Sequence, residues 1–415
     1  MPISKAGPGG ASLIDALFTA VSALSVTGLI IVDTPTYWSG FGKAVILVLI
    51  QLGGLGVMTF ASIFGLAVIR RLSLRNKITT AAEAKNAGLA DIRSLVFGIV
   101  KISFGVEAVV AVILTAQFAV TYREPFWNAL WLGVFHAVSS FNNAGFALFS
   151  DSMMRFASDP IISLPICAAI ILGGLGFPVI MQLRKHARIP RLWSMNTRIV
   201  VAATIVLLLG GTAYITILEW NNPATLGALD WPGRLLAGFF QSVQTRTAGF
   251  NSVDISQMDS ATWLGMDALM FIGGGSAGTA GGIKVTTFAV LLFIVIAEIR
   301  GDGVVNVFGK RLSRAVHRQA IAVALVSVAL VGVSTVLIML MTDFALDNVL
   351  FEVISAFGTV GMSTGITAAL PVNAQLVLVT LMFLGRLGPI TFATALALRE
   401  RSLLYELPKE RPIIG

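Results

Sequence analysis

Apolar residues in this chain neither alternate as in a half-buried strand nor recur as a helical stripe; they run on unbroken. Stretches 44–69, 161–183 and 199–218 contain no charged residue, and each is long enough to cross ~30 Å of hydrocarbon as a helix. The pattern predicts seven spans, over about 43–69, 95–120, 161–183, 199–218, 263–299, 320–342 and 372–398, the fifth interrupted by glycine. Four shorter apolar segments precede or separate them, at 13–25, 126–141, 235–245 and 349–357. At ~1.5 Å rise per residue these are too short to span, and each runs into a small-residue turn around a glycine. They predict re-entrant half-helices that enter from the outer face, dip into the membrane and turn back.

The glycine turns repeat. AVSALSVTGLI around Gly28, AVSSFNNAGFAL around Gly145, SVQTRTAGFNSV around Gly249 and SAFGTVGMSTG around Gly361 lie 117, 104 and 112 residues apart. A second signature follows each by 24 to 28 residues: LGGLG at Gly53, LGGLG at Gly173, IGGGS at Gly273 and LGRLG at Gly385. Four matched pairs in order make an internal repeat and divide the chain into units 1–94, 95–198, 199–318 and 319–415. Each unit reads as span, half-helix, glycine turn, span. Nothing hydrophobic precedes Leu13, so the first unit is expected to lack its opening helix; the third carries the broken second helix, and the fourth a cytoplasmic C-terminal tail. Irregular backbone at membrane depth is tolerated only where protein buries it or water lines it. The expectation is an all-α polytopic membrane protein with four tandem helix, re-entrant pore-helix, helix units around one pore.

Composition and charge agree. The chain is 56% hydrophobic and 12% charged, about half the charge of a soluble protein. Of 29 Lys and Arg, 20 fall in the clusters 70–93, 184–198, 300–318 and 399–411, which follow alternate spans, whereas the opposite loops hold five. By the positive-inside rule the clustered face, and with it the C-terminus, is cytoplasmic. Topology thus accounts for the net charge of +8 without nucleic acid. A single cysteine, Cys167, excludes a disulfide framework. His136, His186 and His317 lie far apart, and no titratable cluster suggests an enzyme. No nucleotide-binding domain is present, so any nucleotide control would come through another chain.

A dehydrated cation needs a cage of oxygens, which backbone carbonyls supply without holding it too tightly. Turning successive carbonyls inward requires backbone shapes that glycine adopts cheaply. The candidate ion-binding filter is therefore Val26, Thr27 and Gly28; Asn143, Ala144 and Gly145; Thr247, Ala248 and Gly249; and Thr359, Val360 and Gly361, with K+ at their carbonyls. Each half-helix aims its partly negative C-terminal end at the cavity. Asp15 and Glu352 are expected toward the starts of the first and fourth half-helices, favouring the helix and attracting cations at the mouth. The second-signature glycines are expected to begin the descending helices and pack them closely on the half-helices. Asn142, Asn143, His136 and Glu107 are expected to hydrogen-bond behind the filter as scaffolding.

Charges inside the membrane are expensive. Arg386 replaces the glycine that aligns with Gly54, Gly174 and Gly274, which suggests an electrostatic barrier below the filter or a salt bridge to Glu107. Arg246 is expected to brace its turn through carbonyls, and Lys101 to snorkel. Before Lys284 stand Gly273, Gly274, Gly275, Ser276, Ala277, Gly278, Thr279, Ala280, Gly281 and Gly282. No helix tolerates that run without cost, at ~1 kcal/mol per glycine, and a broken helix at this depth suits a moving gate. An alternating-access, cation-coupled permease is the rival reading. It predicts inverted repeats and two broken helices, whereas these four repeats run in one direction.

The motifs SVTGL, SSFNNAGF, QTRTAGFNS, SAFGTVGMS and LGRLGPIT resemble the Ktr/Trk/HKT superfamily of potassium transporters, most closely membrane subunits of the KtrB type. The resemblance runs through nearly the whole chain from Pro2. It implies potassium uptake across the cell (inner) membrane through a multi-pass pore within one chain, sodium-stimulated in some relatives, with no covalently bound cofactor. It implies an intramembrane gating loop at 273–282 and a pore-lining arginine, Arg386, beneath the filter. Glycine at all four filter positions resembles potassium-selective members; relatives with serine in the first turn tend to favour sodium. The implied partners are a second copy, as a homodimer, and a cytosolic ring of KtrA-like regulatory subunits that bind ATP or ADP.

Overall fold

The computed structural model describes residues 2–76 and 87–398. The basic tail 399–411 and the middle of the basic loop 70–93 lie outside the described residues. The fold is helical: α1 (Leu13–Leu24), α2 (Thr34–Tyr37), α3 (Gly40–Asn76), α4 (Ala87–Val120), α5 (Phe126–Phe141), α6 (Pro160–Leu175), α7 (Phe177–His186), α8 (Met195–Glu219), α9 (Trp231–Gln244), α10 (Ser260–Ile272), α11 (Val285–Ile299), α12 (Arg314–Met339), α13 (Leu346–Gly358) and α14 (Val372–Leu398). A two-stranded ribbon, β1 (Asn306–Val307) with β2 (Lys310–Arg311), sits between α11 and α12.

Gly40–Ile63, Ser94–Val120, α8 and α12 are each long and apolar enough to cross a membrane, and only 28–39% of each such stretch is buried inside the protein. The remaining apolar surface faces outward, as a lipid-facing helix requires. Short polar caps fix where several helices begin. The Ser12 hydroxyl accepts from the Asp15 amide, Asp159 from Ile161 and Ile162, Ser194 from Thr197, Asp230 from Gly233 and Ser313 from Val316. Each satisfies a donor that the first helical turn leaves free.

The predicted half-helices are α1, α5, α9 and α13, of 12, 16, 14 and 13 residues. Each packs against a helix of its own repeat, as in the pairs α1 with α3, α5 with α4, α9 with α8 and α13 with α12. The next set of contacts, α3 with α5, α6 with α9, α10 with α13 and α14 with α1, carries each repeat's descending helix onto the following half-helix and returns to the first. Buried aromatics such as Phe135, Phe141, Phe351 and Phe357 fill the space behind the half-helices.

Two expectations need correction. The span drawn over 161–183 is not continuous: α6 and α7 meet at Gly176 with a bend of 102°. Gly176 takes φ +90°, and a Cβ there would fall on the Ser276 carbonyl oxygen, so a segment from the third repeat occupies the space at the bend. Pro178 raises no objection, because proline fits the first helical turn. The second-signature glycines, moreover, do not begin the descending helices. Gly53, Gly173, Gly273 and Gly385 each lie thirteen residues after a helix start, at Gly40, Pro160, Ser260 and Val372. A Cβ on Gly53, Gly173 or Gly385 would fall on the carbonyl oxygen of Leu24, Phe141 or Phe357, the last residues or nearly so of three half-helices. Close packing explains these glycines, as expected; the point of contact lies well along a helix and not at its start.

Candidate functional site

The four glycine turns meet one another. A Cβ built on Gly28 would fall on the Ala144 carbonyl oxygen, one on Gly145 on that of Ala248, one on Gly249 on that of Val360, and one on Gly361 on that of Thr27. First turn touches second, second third, third fourth, and fourth first: a closed ring, in chain order and in one rotational sense. Gly28, Gly145, Gly249 and Gly361 have φ of +92°, +68°, +79° and +93°. Two residues before each glycine, Val26, Asn143, Thr247 and Thr359 also take positive φ, between +49° and +75°. The intervening Thr27, Ala144, Ala248 and Val360 do not. Such alternation of hand lets neighbouring carbonyls face the same way, whereas an ordinary strand points them to opposite sides. Asn tolerates the left-handed region, but Val and Thr pay about 1–2 kcal/mol there. That cost is spent on a fixed backbone shape. The side chains of Val26, Thr27, Ala144, Thr247, Ala248 and Val360 are fully buried, so they stand behind the ring.

A support that sequence reasoning missed holds three of the turns. Ser22 accepts the Gly28 amide at 3.1 Å and donates to the Leu29 carbonyl at 2.7 Å; Ser139 donates to the Phe146 carbonyl at 2.8 Å; Ser355 accepts the Gly361 amide at 3.1 Å. All three lie six residues before the glycine, a spacing legible in AVSALSVTG, AVSSFNNAG and VISAFGTVG. In the third turn Gln244 takes over, its Oε1 accepting the Phe250 amide at 3.2 Å. Replacing Ser355 with alanine removes a buried partner from the Gly361 amide, at about 1–3 kcal/mol. We expect a thermal midpoint several degrees lower in the purified Ser355→Ala protein, with membrane expression intact.

The expected scaffold residues sit behind the second turn. Asn142 Nδ2 reaches Gln51 Oε1 at 2.9 Å and Glu107 Oε1 at 3.2 Å, and Gln51 Nε2 donates to Glu107 at 3.0 Å. The Leu148 amide donates to His136 Nε2 at 3.2 Å, so His136 is protonated on Nδ1, which lies 2.8 Å from the Leu132 carbonyl. Asn143 reaches two elements: its Oδ1 accepts from Thr279 at 3.1 Å, and its Nδ2 lies 3.5 Å from Thr247 Oγ1.

Residues 273–284, between α10 and α11, are not helical and pass directly beneath the ring. The Gly275 amide donates to Gly174 at 2.8 Å, the Thr279 amide to Gly173 at 3.1 Å and the Gly282 amide to Gly385 at 3.2 Å. The Phe177 amide, at the start of α7, donates to Ala277 at 3.2 Å. A Cβ on Gly281 would meet the Thr359 hydroxyl, and one on Gly282 would come within 3.0 Å of Gly358. Lys284 Nζ caps the segment's own carbonyls, Ala280 at 2.5 Å and Gly281 at 3.3 Å.

Arg386 is buried and donates to the Thr279 carbonyl and, at 3.2 Å, to the Gly53 carbonyl. It ties segment 273–284 to α3. Glu107 is engaged by Gln51 and Asn142, so the alternative of an Arg386–Glu107 salt bridge is not what forms. Two further expectations change. Arg246 does not brace its turn through carbonyls; its guanidinium reaches across to Thr204 Oγ1 on α8 at 3.2 Å. Glu352 is not at a helix start but in the middle of α13, where it accepts from Ser363, the Thr364 amide at 3.1 Å and Thr367 at 2.8 Å. Its carboxylate anchors the loop after the fourth turn. Asp15 does lie in the first turn of α1, and Tyr37 donates to it at 2.6 Å. Burial, and then that bond to Asp15, raise the Tyr37 hydroxyl above the ordinary tyrosine range. Lys101 is exposed on α4, as a snorkelling lysine would be.

A helical bundle with four helices long and apolar enough to cross a membrane, in which four short helices end in turns that close a backbone ring, defines a helical membrane protein. The sequence profile of the TrkH family, described as cation transport protein, matches residues 8–403, and the chain belongs to that family. It is 40% identical to Ktr system potassium uptake protein B of Vibrio alginolyticus over 98% of this chain and 89% of that protein. It is 38% identical to Ktr system potassium uptake protein B of Bacillus subtilis, over 97% and 89%, and 33% identical to the potassium/sodium uptake protein NtpJ of Enterococcus hirae, over 97% and 90%. The crystal structure of the potassium transporter TrkH from Vibrio parahaemolyticus superposes with a TM-score of 0.70, at 18% identity, over 94% of this chain and 79% of that one. This last likeness is one of fold.

Proposed function

We propose that this chain takes up potassium across the cytoplasmic membrane through a channel-like pore. The observation that carries the proposal is the closed ring of four turns with alternating backbone hand. In this reading, carbonyls of Val26, Thr27 and Gly28 and of their counterparts replace the water around K+. The half-helices α1, α5, α9 and α13 aim their negative ends at it. Segment 273–282 and Arg386 form the gate: the segment blocks the path below the ring, and the buried guanidinium adds a positive barrier while holding the segment to α3. Two relatives carry potassium uptake in their names and one names both potassium and sodium, which supports K+ as cargo and leaves Na+ as the competing ion.

The structure has two broken helices, at Gly176 and at 273–284, the number the permease reading asked for. Its other requirement, inverted repeats, conflicts with a ring that closes in one rotational sense. The remaining parts of the proposal are a homodimer, a cytoplasmic C-terminus following from the basic clusters, and gating by a cytosolic nucleotide-binding ring. The test is growth of bacterial cells that lack their own potassium transporters, on limiting K+. Rescue by this chain, co-expressed with a Ktr-type regulatory subunit, is the expected result; failure despite membrane expression contradicts potassium uptake.

A further inference from the structure

Thr279 differs from every other residue of the intramembrane segment in the reach of its contacts. Its amide donates to Gly173 at 3.1 Å, and its carbonyl accepts from Arg386. Its hydroxyl lies 3.3 Å from the Phe141 carbonyl, the last residue of α5, and 3.1 Å from Asn143 Oδ1 in the second filter turn. A hydroxyl has one proton, and both of these partners are acceptors, so Thr279 donates upward to the ring. The other hydroxyl of the segment, Ser276, bonds Thr286 at 2.8 Å and stays within the third repeat. Thr279 is fully buried, and no water competes for these contacts. Gly173 leaves the space: a Cβ there would crowd Phe141, Thr279 and Asn143 together. Asn143 then carries the link to Thr247 in the third turn, 3.5 Å away.

We propose that Thr279 is a positioning residue that fastens the gate to the selectivity filter, so that withdrawing the segment and loosening the second filter turn are one event. This rests on the pore reading above. When the segment moves, the Arg386–Thr279 bond and the Thr279–Phe141/Asn143 bonds break together. Asn143, in the left-handed conformation at φ +59°, then loses the acceptor-side partner that orients its amide. Ion affinity and maximal rate are therefore coupled through one hydroxyl. A plug that merely lies under an independent ring would have no such coupling.

The test is K+ uptake kinetics, with Na+ competition, for wild type, Thr279→Val, Thr279→Ser and Arg386→Ala. Thr279→Val keeps the shape and removes the donor. It is expected to raise the maximal rate and also to raise KM for K+ about tenfold, as loss of one buried hydrogen bond predicts. Thr279→Ser is expected to restore both, and Arg386→Ala, which also frees the segment, to raise rate and KM together; a raised rate at wild-type KM in Arg386→Ala would overturn the coupling. If Thr279→Val changes rate alone, or if Ser fails to restore KM, the coupling is wrong. Should the Val protein fail to reach the membrane, Thr279→Cys, a poorer donor of similar size, is expected to lie between Ser and wild type on one side and a tenfold KM change on the other; a wild-type KM in Cys overturns the proposal. Absence of K+ uptake by wild type would instead defeat the pore reading itself.

Discussion

Gly145→Ser is expected to raise KM for K+ about tenfold or more and to reduce K+ over Na+ discrimination, while the protein still assembles in the membrane. The substitution acts in two ways. Serine at φ +68° occupies a region that L-residues enter at about 1–2 kcal/mol, and its Cβ falls on the Ala248 carbonyl oxygen of the next turn. That oxygen belongs to the proposed cage, so relief of the clash must move a ligand of the ion. About 1.4 kcal/mol of lost binding is a tenfold change. The helices behind the turn keep their packing, which is why the loss should appear in affinity and selectivity before it appears in expression. Competition of K+ uptake by Na+ reads it directly. An unchanged KM would mean that this turn does not contact the ion.

Arg386→Ala should raise the maximal rate of uptake severalfold. Two contributions act in the same direction. The substitution removes the bonds to the Thr279 and Gly53 carbonyls that hold segment 273–282 against α3, at about 1.5–3 kcal/mol for each bond to a charged group. It also removes a buried cation that no carboxylate pairs with among the described residues, and a like charge repels K+ strongly where water is scarce. Initial-rate measurements at saturating K+ check the prediction. A lower rate at equal membrane abundance would show that Arg386 supports the open pathway instead of closing it.

Much of this arrangement could be read from the chain, because membranes impose strong length rules. Segments 13–25 and 126–141 match α1 and α5 within a residue. The other two half-helices begin earlier than their apolar runs, at Trp231 and Leu346. Asp230 caps α9 from outside, and the polar Asp347 and Asn348 hide the first turn of α13. The break at Gly176 is not legible, since LGGLGFPVI is apolar throughout and a left-handed glycine looks the same in sequence as one that only permits close packing. Positive φ at Val26, Thr247 and Thr359 was not legible either, because β-branched residues are the last that propensity would put there. Only the surrounding ring fixes them. The serine six residues before three of the glycines, by contrast, is legible in the chain as a recurring spacing. Partners far apart in sequence, such as Arg246 with Thr204 or Thr279 with Asn143, depend on how the bundle closes, and no local pattern encodes that.

Reconstitution into sealed vesicles with an imposed membrane potential tests the central claim most directly, using wild type and Arg386→Ala so that a closed gate does not mask the path. A pore predicts K+ flux that follows the potential, needs no second solute and stops at the K+ equilibrium potential, with Na+ carried far less readily. Flux that stalls unless a coupling ion is supplied, and that then moves K+ beyond its equilibrium potential, would contradict the pore and establish the coupled permease.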